Sequence, residues 1–226
     1  MNQLAMFAKY WDPGSVKTRL AATIGDVAAS RIYFHCLDSL VHRFDNLAEN
    51  RTLVFWPPDR AADFATVARG RWQLAPQAAG HLGRRMGQYF STAFEQGATH
   101  VVLIGSDSPT VPGSWILRSW QMLQRVNVVL GPSTDGGYYL VGMSQFVPAI
   151  FDDIRWSTPH VLEDTRSRIA EEHLSYAELP TWYDIDEIDD LYRLRHELVD
   201  QQPEDADWTE LLAAIDDGIR RVKNDD

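Results

Sequence analysis

Val101-Val102-Leu103-Ile104-Gly105-Ser106-Asp107-Ser108-Pro109 is the stretch on which the fold class turns. Four consecutive apolar residues bounded by Gly105 fit a strand buried on both faces of a parallel sheet. The polar turn behind them then falls at the carboxyl edge of that sheet, where open α/β folds place their ligands. Asp107 would point into the crevice there. Its hard oxygens suit Mg2+ or Mn2+, ions that bridge protein to phosphate. Asp-Ser-Pro is also good turn chemistry, so a turn aspartate opening a helix after Pro112 is the alternative.

Outward from this strand, apolar runs alternate with amphipathic stretches. Leu4–Ala8, Thr52–Trp56, Trp72–Ala75, Val128–Leu130 and Tyr138–Val141 read as strands. Helices are expected over Asp26–Phe44, Arg60–Arg69, Leu82–Gln96, about Ser114–Gln124 and His160–Glu172. This βαβα rhythm predicts a layered α/β domain with a mainly parallel sheet. Residues 1–226 read as one domain, with 203–226 a helical extension. In that extension Asp207-Trp208-Thr209-Glu210 resembles a capping box, and Trp208, Leu211, Leu212, Ile215, Ile219 and Val222 form one apolar stripe. The stripe packs on the same domain or forms a homodimer interface.

Composition narrows the function. With 45% hydrophobic and 23% charged residues, the 226-residue chain is of ordinary globular type. Its apolar runs are strand-length, far below the ~20 residues that span a bilayer. The amino terminus lacks the basic region and apolar core of a secretory signal. The single cysteine, Cys36, excludes an internal disulfide framework and suits a reducing compartment, so a cytoplasmic protein is expected. A formal net charge of -11 argues against a nucleic-acid partner. Against that acidity, Lys9, Lys17 and Arg19 crowd one short segment, which suggests a small anionic ligand.

Four polar segments follow strands. The first runs from Lys9 through Pro13-Gly14 to Lys17-Thr18-Arg19; its turn, free N–H groups and cations suit a diphosphate. It is not a P-loop, for lack of the glycines that motif requires. Gly105–Pro109 is the second. The third, Gly131-Pro132-Ser-Thr-Asp135-Gly136-Gly137-Tyr138-Tyr139, is a turn signal by itself. Read functionally, its glycines admit a substrate to the backbone while Asp135 binds a hydroxyl, an amine or a metal. In the fourth, Tyr183-Asp184-Ile185-Asp186, the two aspartates alternate along an extended stretch and share a side. One of them would complete a metal site with Asp107. Asp186 is also the expected N-cap of a helix running to Val199.

Taken with Gly80-His81-Leu82-Gly83-Arg84-Arg85-Met86, these segments resemble, in the same order, the DUF2064 family, a bacterial group of candidate glycosyltransferases. The resemblance runs from about residue 3 to residue 195. It implies the three-layer, Rossmann-like glycosyltransferase-A fold of the nucleotide-diphospho-sugar transferases, an α/β fold with a mainly parallel mixed sheet, and a divalent metal, Mg2+ or Mn2+. By position it implies phosphate contacts from Lys9, Gly14, Lys17, Thr18 and Arg19 and base contacts from Gln77 and Gly80. It makes Asp107 and Asp186 the metal ligands, and Asp135, Gly136, Gly137 and Trp156 the acceptor side. Trp11 stands where the family usually has proline, and would alter the stiffness of the entry loop or stack on a base. His81 stands where an acidic residue is common, and reads as a helix-start residue.

The expected function is therefore glycosyl transfer from a nucleotide-sugar to a small acceptor. Lys17 would stabilise the departing diphosphate, and Asp135 is the candidate base. Nucleotidyl transfer from an NTP to a phosphorylated small molecule, as in the similar phospholactate guanylyltransferases, is the alternative. A nucleotide-binding module without catalysis is the third.

Overall fold

A computed structural model describes residues 1–201 and 208–222. Seven strands, β1 (Asn2–Lys9), β2 (Asn50–Trp56), β3 (Gln73–Pro76), β4 (His100–Ile104), β5 (Val128–Pro132), β6 (Tyr138–Met143) and β7 (Tyr176–Glu178), form one sheet in the order β3-β2-β1-β4-β6-β5-β7. β6 runs antiparallel to both β4 and β5, whereas the other adjacent pairs are parallel. The mainly parallel α/β sheet expected from the chain's rhythm is the one observed, with β6 its antiparallel member.

Period-two alternation divides the strands between two cores. Leu4, Met6, Ala8, Leu53, Phe55, Val102 and Ile104 face one side. They meet helices α2 (Asp26–Arg43), α3 (Ala61–Ala68) and α5 (Gly113–Leu123) through Leu37, Leu40, Phe64, Ile116 and Trp120. Ala5, Phe7, Val54, Val101, Leu103 and Val141 face the other, against Met86 and Phe90 of α4 (Leu82–Glu95) and Ile169 of α6 (Val161–Glu171). β4 is thus covered on both faces, as its unbroken apolar run requires.

A third cluster stands at the flank. It joins α1 (Thr18–Ile24), α2, α7 (Ile188–His196, continued by a π-helical turn over Glu197–Gln201) and α8 (Thr209–Val222). Leu211, Ala214, Ile215 and Ile219 of α8 are buried there against Leu20, Ile24, Ile32 and Cys36, so the stripe lies on its own chain. Asp207, the expected cap of α8, is outside the described residues.

Two short elements differ from expectation. β7 has three residues, too few to show an alternation, and α1 occupies part of what reads as a basic loop. The cap of α7 is a correction. Glu187, not Asp186, is the N-cap, in a reciprocal capping box with Asp190. Asp190 Oδ2 accepts the N–H groups of both Asp186 and Glu187, at 3.0 and 2.9 Å. This satisfies the helix start and leaves the Asp186 carboxylate to another partner.

Candidate active site

With β6 reversed, the carboxyl ends of β1, β4, β5 and β7 and the start of β6 share one edge of the sheet. All four polar segments therefore meet there. Consecutive connections leave β1 and β4, its neighbour in the sheet, at the crevice where such folds bind ligands. A cleft of about 590 Å³ opens at that edge, within the size range of small-molecule sites.

Its polar wall begins with the turn after β1. Gly14 takes φ +81°, and Ser15 N–H donates to Asp12 O. The chain then reaches Lys17, which stands in the left-handed region at φ +50° as the residue before α1. Lys9, Thr18 and Arg19 line the same cleft with exposed side chains. Lys17 instead folds inward, with its side chain 4% exposed.

The Lys17 ammonium lies between two carboxylates. It pairs with Asp107 Oδ1, from the loop after β4, and with Asp186 Oδ1 at 3.2 Å, from the loop before α7. Burial pulls the Lys17 pKa down, but the charges of Asp107 and Asp186, a hydrogen bond to Asp107 and the field of Asp184 more than reverse this. The net shift is upward, so this lysine stays charged. Asp107 and Asp186 keep 45% and 38% of their side chains exposed, so each still presents oxygen to the cleft.

Asp184 sits behind this group. It accepts hydrogen bonds from Ser108 Oγ and, at 2.9 Å, from Ser133 Oγ. Burial, then the negative charge of Asp107, push its carboxyl pKa up to about 6, against the pull of Ser108 and Lys17. Ile185 N–H donates to Asp107 O at 3.0 Å, which fastens the two acidic loops together. Both aspartates of Asp184-Ile185-Asp186 thus serve one locus, as their alternation predicts.

Tyr33 of α2 is a site residue that the sequence did not single out. Its hydroxyl accepts the Lys9 N–H at 2.9 Å and lies 2.8 Å from Ser106 Oγ, tying the end of β1 to the loop after β4. A tyrosine inside a helix carries no local sign of such a bridge. Arg85 was missed as well. It donates to Gly80 O at 2.7 Å and to Gln77 Oε1 at 3.3 Å, and its guanidinium lies over the Trp56 ring.

The remaining site residues expected from sequence divide clearly. Gln77 lines the cleft, but its amide nitrogen donates to Ala8 O at 3.1 Å and Val54 O at 2.9 Å, latching β1 to β2. Gly80 provides a positive φ of +119° before α4 and is off the cleft wall. So are Gly14, Asp135, Gly136, Gly137 and Trp156. Asp135 Oδ1 accepts Gly137 N–H at 2.9 Å within the β5–β6 turn. A Cβ on Gly136 would lie 2.1 Å from Pro159 O, so this glycine admits the protein's own backbone. Trp156 stacks its indole where a Gly83 Cβ would be, and Ser157 beside it reaches the cleft. His81 caps α4, accepting Arg84 N–H through Nδ1 at 3.4 Å. Trp11 packs on Tyr10, Phe34 and Phe64, which stiffens its loop and engages its ring within the protein.

Comparison with known proteins gives the following. The model of a family described as an uncharacterized protein conserved in bacteria (DUF2064) matches residues 40–158, more than half of the chain. A "putative nucleotide-diphospho-sugar transferase" from Desulfovibrio desulfuricans G20 superposes with a TM-score of 0.90 at 29% identity, covering 99% of this chain and 97% of that one. A cytidylyltransferase from Leptospira borgpetersenii serovar Hardjo-bovis gives 0.58 at 14% identity, over 99% and 97% of the two chains. A CMP:2-keto-3-deoxy-manno-octonic acid synthetase complexed with CTP gives 0.53 at 11%, over 88% and 99%. The last two share the fold. No curated protein matches the chain.

Proposed function

This chain belongs to the DUF2064 family, and from that premise we propose that it is a metal-dependent glycosyltransferase whose cleft takes the diphosphate of a nucleotide-sugar. One observation carries the reading. Lys17, Asp107 and Asp186, remote in sequence, converge at one point of a cleft whose rim bears Lys9, Thr18 and Arg19. Cations on one side and paired carboxylates on the other are what a diphosphate with a divalent ion needs. The superposition on a nucleotide-diphospho-sugar transferase over nearly the whole chain supports the same class of transfer.

The chemistry of the donor set suits Mg2+ or Mn2+. Both carboxylates already aim at one cation, the ammonium of Lys17, and both remain open to the cleft. Among the described residues no group of three or more histidines, cysteines and acids is placed to hold an ion unaided. A pair of carboxylates completed by substrate phosphates suits these ions, and Asp107 and Asp186 are the residues that would hold one. The bound ion would offset charge growing on the leaving diphosphate. Lys17, Lys9 and Arg19 act on the same charge as N–H donors at the edge of a partly enclosed site. Thr18 meets the phosphates at the cleft wall, and the turn at Gly14, itself off that wall, sets the course of the chain to Lys17. Asp135 remains with its turn, so base catalysis from that residue has no geometric support.

A thermal-shift series with nucleotide-sugars and NTPs, each with and without Mg2+ or Mn2+, tests the proposal. Stabilisation by a nucleotide-sugar only with metal is expected, followed by release of nucleoside diphosphate. Release of pyrophosphate from an NTP would move the reading to nucleotidyl transfer. Stabilisation without any turnover would leave a nucleotide-binding module. Asp107→Ala is expected to abolish the metal-dependent shift while the unliganded melting temperature stays within a few degrees. An unchanged shift would remove Asp107 from the site.

A further inference from the structure

We infer that Lys17 is a resident cation: it holds the Asp107–Asp186 pair in the free protein and excludes a divalent ion until a diphosphate draws the ammonium away. The inference rests on the metal reading above and gives it an order of binding. Three observations carry it. First, the ammonium stands between the two carboxylates, paired with both, at the point where a shared metal would have to sit. Second, the side chain is 4% exposed although the pocket beside it is open, so it is turned into the acidic cluster and away from solvent. Third, the backbone at Lys17 takes φ +50° and ψ 44°, a left-handed conformation that disfavours a non-glycine residue. Glycine would fit that backbone without strain.

The electrostatics follow. An ammonium and a divalent ion sharing one pair of carboxylates would stand a few ångströms apart, and like charges at that distance repel strongly in a partly buried site. A diphosphate alters the balance. It supplies new acceptors for the lysine and new oxygens for the metal, so both cations find ligands together. Metal and diphosphate then bind cooperatively, each raising the affinity of the other by the same factor. Free Lys17 thereby keeps the empty protein from collecting divalent ions at a site that has too few ligands of its own.

The test uses Mn2+ alone, with no nucleotide, and follows the free ion by electron paramagnetic resonance while protein is added. The full-length chain is compared with Lys17→Gln, which keeps the size and polarity of the side chain but not the charge. The inference expects Mn2+ to bind Lys17→Gln at least tenfold more tightly than the unaltered protein, and the gain to vanish in Lys17→Gln/Asp107→Asn. Circular dichroism and the melting temperature verify that each variant is folded. Equal affinity in Lys17→Gln and the unaltered protein, with weakening on Asp107→Asn, would overturn the role of Lys17 and leave the metal site standing. A gain that survives Asp107→Asn, or no Mn2+ binding by any variant, would overturn this inference, while the metal reading stands or falls separately on the metal dependence of the nucleotide-sugar shift.

Discussion

Gln77 shows how one side chain can be read two ways and how energetics separates them. In the sequence it sits before the glycine turn of Gly80 and reads as a contact to a nucleobase. In the folded chain its amide nitrogen satisfies the Ala8 and Val54 carbonyls, and its oxygen accepts from Arg85. Truncation would leave buried carbonyls without a donor, at about 1–3 kcal/mol each if no water replaces it. Gln77→Ala is therefore expected to lower the melting temperature by several degrees, measured by calorimetry. A variant that melts like the parent but loses nucleotide affinity would restore the base-contact role. The same scale separates Asp186 from its expected capping role. Glu187 and Asp190 can satisfy the start of α7 because both lie within one turn, whereas Lys17 has its second carboxylate from Asp186 alone. Neither partner of Lys17 was legible as such in the sequence, which places them 90 and 169 residues away.

Among the elements, α4 ties the cleft to the loop that carries Trp156. Gly83, in its first turn, is buried, and a Cβ there would lie 2.5 Å from the indole ring. Two effects compete in Gly83→Ala. Helix propensity favours alanine by about 1 kcal/mol. Overpacking against a large aromatic ring costs about 1–3 kcal/mol, because the ring must shift and carry its loop with it. Overpacking is expected to prevail. Differential scanning fluorimetry should show a lower melting temperature, and tryptophan emission a changed environment. A higher melting temperature would mean that the loop around Trp156 yields without cost. The strands were the most legible elements, since β1 and β4 announce themselves as unbroken apolar runs. β7 was not legible: three residues cannot display a period, and it exists because β5 offers it an edge. The glycines of Asp135-Gly136-Gly137 were legible as a turn, but their neighbour, Pro159 O, belongs to a loop that follows β6.

For the molecule as a whole, the third hydrophobic cluster gives a direct probe of cooperativity. Cys36 lies there, 1% exposed, beneath helices from both ends of the chain, and burial pushes its thiol up to about 12. A neutral, enclosed thiol is a poor nucleophile. Labelling by a disulfide reagent at pH 8 is expected to be orders of magnitude slower in the folded protein than in denaturant. Its rate should follow the global unfolding transition as urea is raised. Rapid labelling in buffer would show instead that α8 opens locally. The description of α8 covers 209–222 and places its apolar face against α1 and α2. Among the described residues, no helix is long and apolar enough to cross a membrane.

The sequence by itself determined the α/β class, most of the strands and helices, and the order of polar segments along one edge, because hydrophobic period and turn chemistry are local properties. Tertiary structure alone decided that β6 runs backwards between β4 and β5, that Tyr33 bridges two loops, and that a buried ammonium joins Asp107 to Asp186. The reason is that strand neighbours and charge partners are chosen by packing across the whole sheet. Residues far apart in the chain become adjacent only when both faces of that sheet are covered.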